Sequence, residues 1–147
     1  VVAVARDHVL DDRGVAVAED AAEKTEAYVI LETLTYLQKG GRIGKAQALI
    51  GGLLSVKPIL TIKDGEILPY EKVRSRAKGI AKLKEIAAAS APYAELGVIH
   101  ETDSEIVTDL VATLSALTDK PVLLGKIGAV IGVHAGPDVV GIAFRRA

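Results

Sequence analysis

The stretch 56-VKPILTIKDGEILPYEKVRSRAKGIAKLKEIAAAS-90 decides the fold class. Two apolar runs flank Asp64-Gly65, a strong two-residue turn signal, and predict a β-hairpin over residues 56–73. Pro58 and Pro69 suit a strand start or an edge, because proline cannot donate to a central ladder. From residue 74 the apolar spacing becomes helical. Ala77, Ile80, Leu83 and Ala87 form the expected buried stripe of a helix over 74–90, with Arg74, Lys78 and Lys82 on another face and Pro92 marking its end.

Working outward, residues 1–24 read as helical with a break near Gly14, and 27-AYVILE-32 reads as a mostly buried strand. Leu34 and Leu37 predict a short helix over 33–39, stopped at 40-GGRIG-44, where paired glycines supply the positive φ angles that end helices. Helical spacing resumes over 45–54 through Ala46, Leu49, Ile50, Leu53 and Leu54. Beyond the long helix, 94-AELGVIH-100 predicts a strand. Thr102 with Glu105 predicts a capping box for a helix over 103–118, whose face is Val107, Leu110, Val111, Leu114 and Leu117. A short buried strand at 121-PVLLG-125, a short helix, a Gly136-Pro137 turn and a last strand 139-VVGIAF-144 complete the chain. The expected fold is α/β: one two-layer domain over 1–147, a mixed β-sheet with helices packed mainly on one face.

Composition bounds the function. The 147 residues are half hydrophobic and a quarter charged, enough for a core, and the net charge of −1 argues against a general nucleic-acid binder. Four tyrosines and one phenylalanine are too few for a base-stacking platform. With no cysteine there is no disulfide, thiolate metal site or cysteine nucleophile, and His8, His100 and His134 lack metal-ligand spacing, so no metal cofactor is expected. No apolar run is long enough to span a bilayer and the N-terminus is broken by charges, which leads us to expect a cytoplasmic location. The chain starts at Val1 and has no methionine, and is therefore expected to be part of a longer protein.

Two segments can carry chemistry. In 39-KGGRIGK-45, three cations flank three glycines before a helix start, which favours an anion, although the spacing matches neither a Walker A loop nor G-x-G-x-x-G. Arg42 stands out, a planar fork between glycines suited to carboxylate or phosphate. In 132-GVHAGPDVVG-141, His134 sits between glycines ahead of a rigid turn, placed to donate a hydrogen bond to an anion or to shuttle a proton. The bland readings are a helix-ending turn and a tightly packed helix. The basic stretch Lys72, Arg74, Arg76, Lys78, Lys82 and Lys84 reads as solvated helix surface. Glu32, Asp64, Glu66 and Asp103 show no acid/base pairing, and no serine lies in a nucleophile elbow.

The stretches 34-LTYLQKGGRIGKAQALIGGLLSVKPILTIKDGEI-67, 72-KVRSRAKGIAKL-83 and 127-IGAVIGVHAGPDVVGIAF-144 resemble the C-terminal domain of the DegV family of bacterial fatty-acid-binding proteins. The resemblance implies a non-catalytic carrier in which a long-chain fatty acid lies between two α/β domains. It also implies a fatty acid kinase as partner, which converts the presented acid to an acyl phosphate for phospholipid synthesis. Arg42, with Gly41 and Ile43 of its loop, and His134, with Gly136 of its turn, would stand near the head group or the kinase-facing surface. Leu49, Ile50, Leu53 and Leu54 would line the tail. In the family, Ser/Thr groups of an N-terminal domain hold the carboxylate, and this chain lacks that domain, so the chain alone is expected to bind fatty acid weakly or not at all. Ala135 and Asp138 stand where the family commonly has Thr and Gly, so one possible hydroxyl donor is missing and one carboxylate is added. The competing expectation is an enzyme domain acting on an anionic substrate, with His134 as acid/base and Arg42 as electrostatic stabiliser. A third is a regulatory domain of a kinase-like fusion.

Overall fold

The computed structural model describes residues 12–50 and 56–147. Helix α1 (Asp12–Glu23) leads into β1 (Thr25–Ile30), then α2 (Thr35–Lys39), a 3-10 helix (Gly44–Leu49), and the hairpin β2 (Lys57–Lys63) and β3 (Glu66–Val73). Helix α3 (Arg76–Ser90), β4 (Tyr93–His100), α4 (Glu105–Ser115), β5 (Leu123–Lys126), α5 (Ala129–Ala135) and β6 (Val140–Arg146) follow. The six strands form one sheet in the order β3-β2-β1-β6-β4-β5, antiparallel throughout except for the parallel pair β4/β5. The mixed α/β fold is the expected one.

Alternation along the strands gives the sheet two apolar faces. On one, Ile30, Ile59, Val98, Val140, Ile142 and Phe144 pack beneath Ile80, Leu83 and Ile86 of α3 and Val107, Leu110 and Leu114 of α4. Two serines start these helices: the Ser75 and Ser104 hydroxyls accept the amides of Lys78 and Val107. Gly79 lets α3 lie against β1, since a Cβ there would overlap the Ile30 side chain. On the other face a smaller cluster joins Leu31, Leu37, Ala46, Leu60 and Val139, with Leu34, Ile43, Leu49, Ile127 and Ala135 packed around it. Helices α3 and α4 thus cover one face, while α2, the 3-10 helix and α5 supply short pieces to the other.

Local expectations fail in instructive places. Helix α1 runs through Gly14 without a break. Ala77 is exposed and Ile86 takes the buried place on α3. Ser104 caps α4, while the Thr102 hydroxyl donates to the Glu101 carboxylate. Strand β5 is not buried: Leu123 and Leu124 are exposed on the sheet's edge. Arg76 is not a solvated cation either. It joins Lys57 around the Glu32 carboxylate, with Nη1 3.6 Å from Oε2 and shut off from solvent. Residues 45–54 were expected to be helical; 44–49 wind as a 3-10 helix and Ile50 is extended, while Leu53 and Leu54 lie outside the described residues.

Candidate functional site

The Arg42 loop is the end of α2. The Arg42 amide donates to the Leu37 carbonyl (2.9 Å) and the Gly41 amide to that of Gln38 (3.1 Å), the paired bonds of a Schellman motif with Gly41 left-handed at φ 65°. Gly40 has an ordinary φ of −81°, so only one glycine of the pair is there for its backbone angle. These bonds consume the amides of residues 40–42, leaving none free for an anion. Around Arg42, donation falls to side chains. Lys45 is held by Glu66 at 2.5 Å, whereas the exposed Arg42 guanidinium folds back so that Nη1 donates to the Gly40 carbonyl at 3.1 Å.

His134 reaches the same place from the far end of the chain. Both ends of α5 are fastened to the carboxyl end of β4. The Ile127 amide donates to the His100 carbonyl at 2.6 Å, and the Glu101 amide to that of Val139 at 3.0 Å. The Asp138 amide in turn donates to the Glu101 carboxylate at 3.2 Å. The Thr102 hydroxyl and this amide hold the Glu101 carboxyl below its usual range. Asp138 is left-handed at φ 59°, the conformation glycine adopts freely, and its side chain is exposed. So held, α5 lays the His134 ring against Gly40, and Tyr36 lies over Gly136. The His134 Nδ1 is buried with no hydrogen-bond partner.

The structure therefore brings Arg42, Gly41, His134 and Gly136 to one corner, where α2 meets α5. Ile43, Leu49 and Ala135 pack on the same apolar cluster beneath it. Leu49 and Ile50 also line a cleft of about 310 Å³ with Leu34, Thr35, Gln38 and Pro58. Residues 34 and 38 lie one turn apart, as do 36 and 40, on opposite sides of α2, so the cleft and the His134 corner flank that helix on either side. Beside the corner, α5 buries none of its residues: Val130 is 82% exposed, and Ile131 and Val133 are also open. Apolar side chains clustered on a surface in this way mark a site where something else packs.

Two features escaped the sequence reading. His100 is buried at the end of β4 with Nδ1 3.7 Å from the exposed Asp103. Thr33 and Thr35 bring their hydroxyls to 2.8 Å at the cleft. The Thr-x-Thr spacing was the available signal for the second. Among the described residues no three His, Asp or Glu side chains gather as a metal site, and no helix is long and apolar enough to cross a membrane.

Comparison with protein families matches residues 12–147 to the DegV family, described as uncharacterised. The DegV domain-containing protein SCO2569 of Streptomyces coelicolor is 44% identical over 137 residues, covering 89% of this chain and 48% of that protein. The crystal structure of the fatty acid binding DegV family protein SAG1342 from Streptococcus agalactiae superposes with a TM-score of 0.80 at 30% identity, covering 99% of this chain and 53% of that one. That of DegV, a fatty acid binding protein from Bacillus subtilis, gives 0.73 at 35% identity, covering 91% and 49%. The chain spans about half the length of these relatives. Two motifs that meet at one corner, the sheet order and these likenesses agree: the chain belongs to the DegV family.

Proposed function

We propose that this chain is the lipid-binding, C-terminal part of a non-catalytic fatty-acid carrier. In this reading, a long-chain fatty acid lies between it and an N-terminal domain, and a fatty acid kinase receives the presented acid and forms an acyl phosphate. The observation that carries the reading is the corner itself. Arg42 and His134, 92 positions apart, meet over an apolar cluster beside an uncovered apolar helix. Relatives of this fold are named as fatty-acid-binding proteins.

The energetics suit such a ligand. Burying a tail gains roughly 0.8 kcal/mol per methylene, on the order of 10 kcal/mol for a sixteen-carbon chain before entropy costs. The carboxylate is costly to bury unless donors meet it, and the Arg42 guanidinium and His134 imidazole are such donors. With the amides of residues 40–42 spent within α2's end, the head group relies on these two side chains and on donors from the N-terminal domain. The open apolar residues of α5, Val130, Ile131 and Val133, are then the wall that this domain covers.

Extraction and mass spectrometry of the full-length protein should return co-purified fatty acids of about fourteen to eighteen carbons, lengths whose tail burial matches the estimate above, while this chain alone returns little or none. Equal retention by both would overturn the two-domain site. In the full-length protein with its kinase, Arg42→Ala or His134→Ala should impair acyl-phosphate formation with the fold intact. Wild-type rates in both would remove these residues from the site.

A further inference from the structure

Helices α2 and α5 meet through two rings laid on two glycines. Tyr36 and Gly40 lie one turn apart on α2, and His134 and Gly136 lie two residues apart at the end of α5. A Cβ at position 136 would sit 2.5 Å from Cδ2 of Tyr36, and a Cβ at position 40 would overlap Nδ1 of His134 and stand 2.8 Å from its Cε1. Gly136 has a second reason to be glycine, its φ of 82°. Gly40 has none: its φ of −81° suits any residue, and the Schellman turn beside it uses Gly41. What Gly40 provides is room for the imidazole.

We propose that Gly40 is a positioning residue for His134, resting on the carboxylate-binding reading for what His134 then does. Seated on the bare Cα, the ring buries Nδ1 where no group pairs with it. A buried N–H without an acceptor is costlier than a bare ring nitrogen, so the neutral ring keeps its proton on Nε2. Nε2 is not so enclosed, and it becomes the nitrogen presented to a ligand as a donor. The Arg42 guanidinium lies at the same turn, donating to the backbone carbonyl of residue 40. The missing Cβ thus orients the imidazole, while Arg42 uses only the main chain of that residue. A methyl at position 40 overlaps a side chain first, the imidazole, and asks the Tyr36 carbonyl at 3.2 Å to give by only a few tenths of an ångström.

The test is Gly40→Ala in the full-length protein, with Gly132→Ala as control, because a Cβ at 132 meets nothing within 4 Å. Nitrogen-15 spectra of the His134 imidazole at mildly alkaline pH should show the proton on Nε2 in the wild type and in Gly132→Ala. In Gly40→Ala they should move toward a mixture of both tautomers. Binding of palmitate should weaken about tenfold, the loss expected for one hydrogen bond to a charged group, and Gly40→Ala combined with His134→Ala should bind no worse than His134→Ala alone. Unchanged His134 nitrogens, or additive losses in the double variant, would overturn the inference. If Gly40→Ala lowers the melting temperature, the same methyl placed on the His134→Ala protein should restore it, and failure to do so is equally fatal. Should Gly40→Ala move the His134 nitrogens while His134→Ala binds palmitate normally, the positioning holds and the carboxylate reading falls.

Discussion

Leu110→Ala and Val130→Ser test whether the two faces differ as described. Leu110 lies on α4 at 0% exposure, within the cluster that joins α3 and α4 to the sheet. Truncating it removes buried methyl groups and leaves a cavity between packed layers, a cost of about 3 kcal/mol. Against a total stability of roughly 5–15 kcal/mol, that is a large fraction. At about 2–4 °C per kcal/mol for a chain of this size, the melting temperature should fall by roughly 6–12 °C. Val130, though equally apolar, is 82% exposed on α5. Its replacement by serine should change the stability of this chain by no more than about 0.5 kcal/mol. Urea unfolding followed by circular dichroism measures both. A Val130→Ser loss comparable to that of Leu110→Ala would mean that α5 is buried in the chain, and the open apolar wall would not exist. A Leu110→Ala loss below about 1 kcal/mol would refute the packing of α4 onto the sheet.

Gly79→Ala should destabilise by about 1–3 kcal/mol through overpacking against Ile30, and Ile30→Val in the same chain should recover part of it; thermal melts decide. Glu32→Gln leaves Lys57 and Arg76 partly buried without their counter-charge and should cost about 1–2 kcal/mol in urea titrations, whereas Lys45→Ala, at an exposed pair, should be silent. Tyr28, with its pKa pushed up to about 12 by burial and by its bond to Glu26, should ionise well above an ordinary phenol in an ultraviolet titration differenced against Tyr28→Phe. Because its folded pKa lies above the unfolded value, its contribution is fully present below about pH 10 and disappears as the pH rises through about 12. Titration of Tyr28 at about pH 10 would contradict this.

The parts of the fold that were legible in sequence are those set by local chemistry. Asp64-Gly65 predicts its hairpin because both residues take positive φ, 52° and 75°, as such a turn requires. The α3 and α4 stripes are legible because burial on one helix face follows the 3.6-residue period. Strand β5 was misread because apolar residues at an uncovered surface look, in sequence, like core: Leu123 and Leu124 carry the composition of a buried strand and the exposure of an edge. Arg76 was misread for the opposite reason, since its partner Glu32 is 44 positions away and no local pattern announces it.

At the site, Arg42 and His134 could be singled out from their glycine-flanked settings, but not their meeting, which depends on the pairing of β4 with β6 and on the bonds that fasten α5 to the end of β4. The role of Gly40 was invisible in principle. Sequence shows two adjacent glycines ending a helix, and only the ring above one of them separates the backbone requirement from the steric one.

Crystals of the full-length protein grown with palmitate would test the central claim most directly. Its carboxylate should be found within hydrogen-bonding distance of His134 Nε2 and beside Arg42, with the hydrocarbon on the α2 and α5 face of the sheet beneath a second domain. A fatty acid seated against the α3 and α4 face, or one whose head group touches neither side chain, would contradict it.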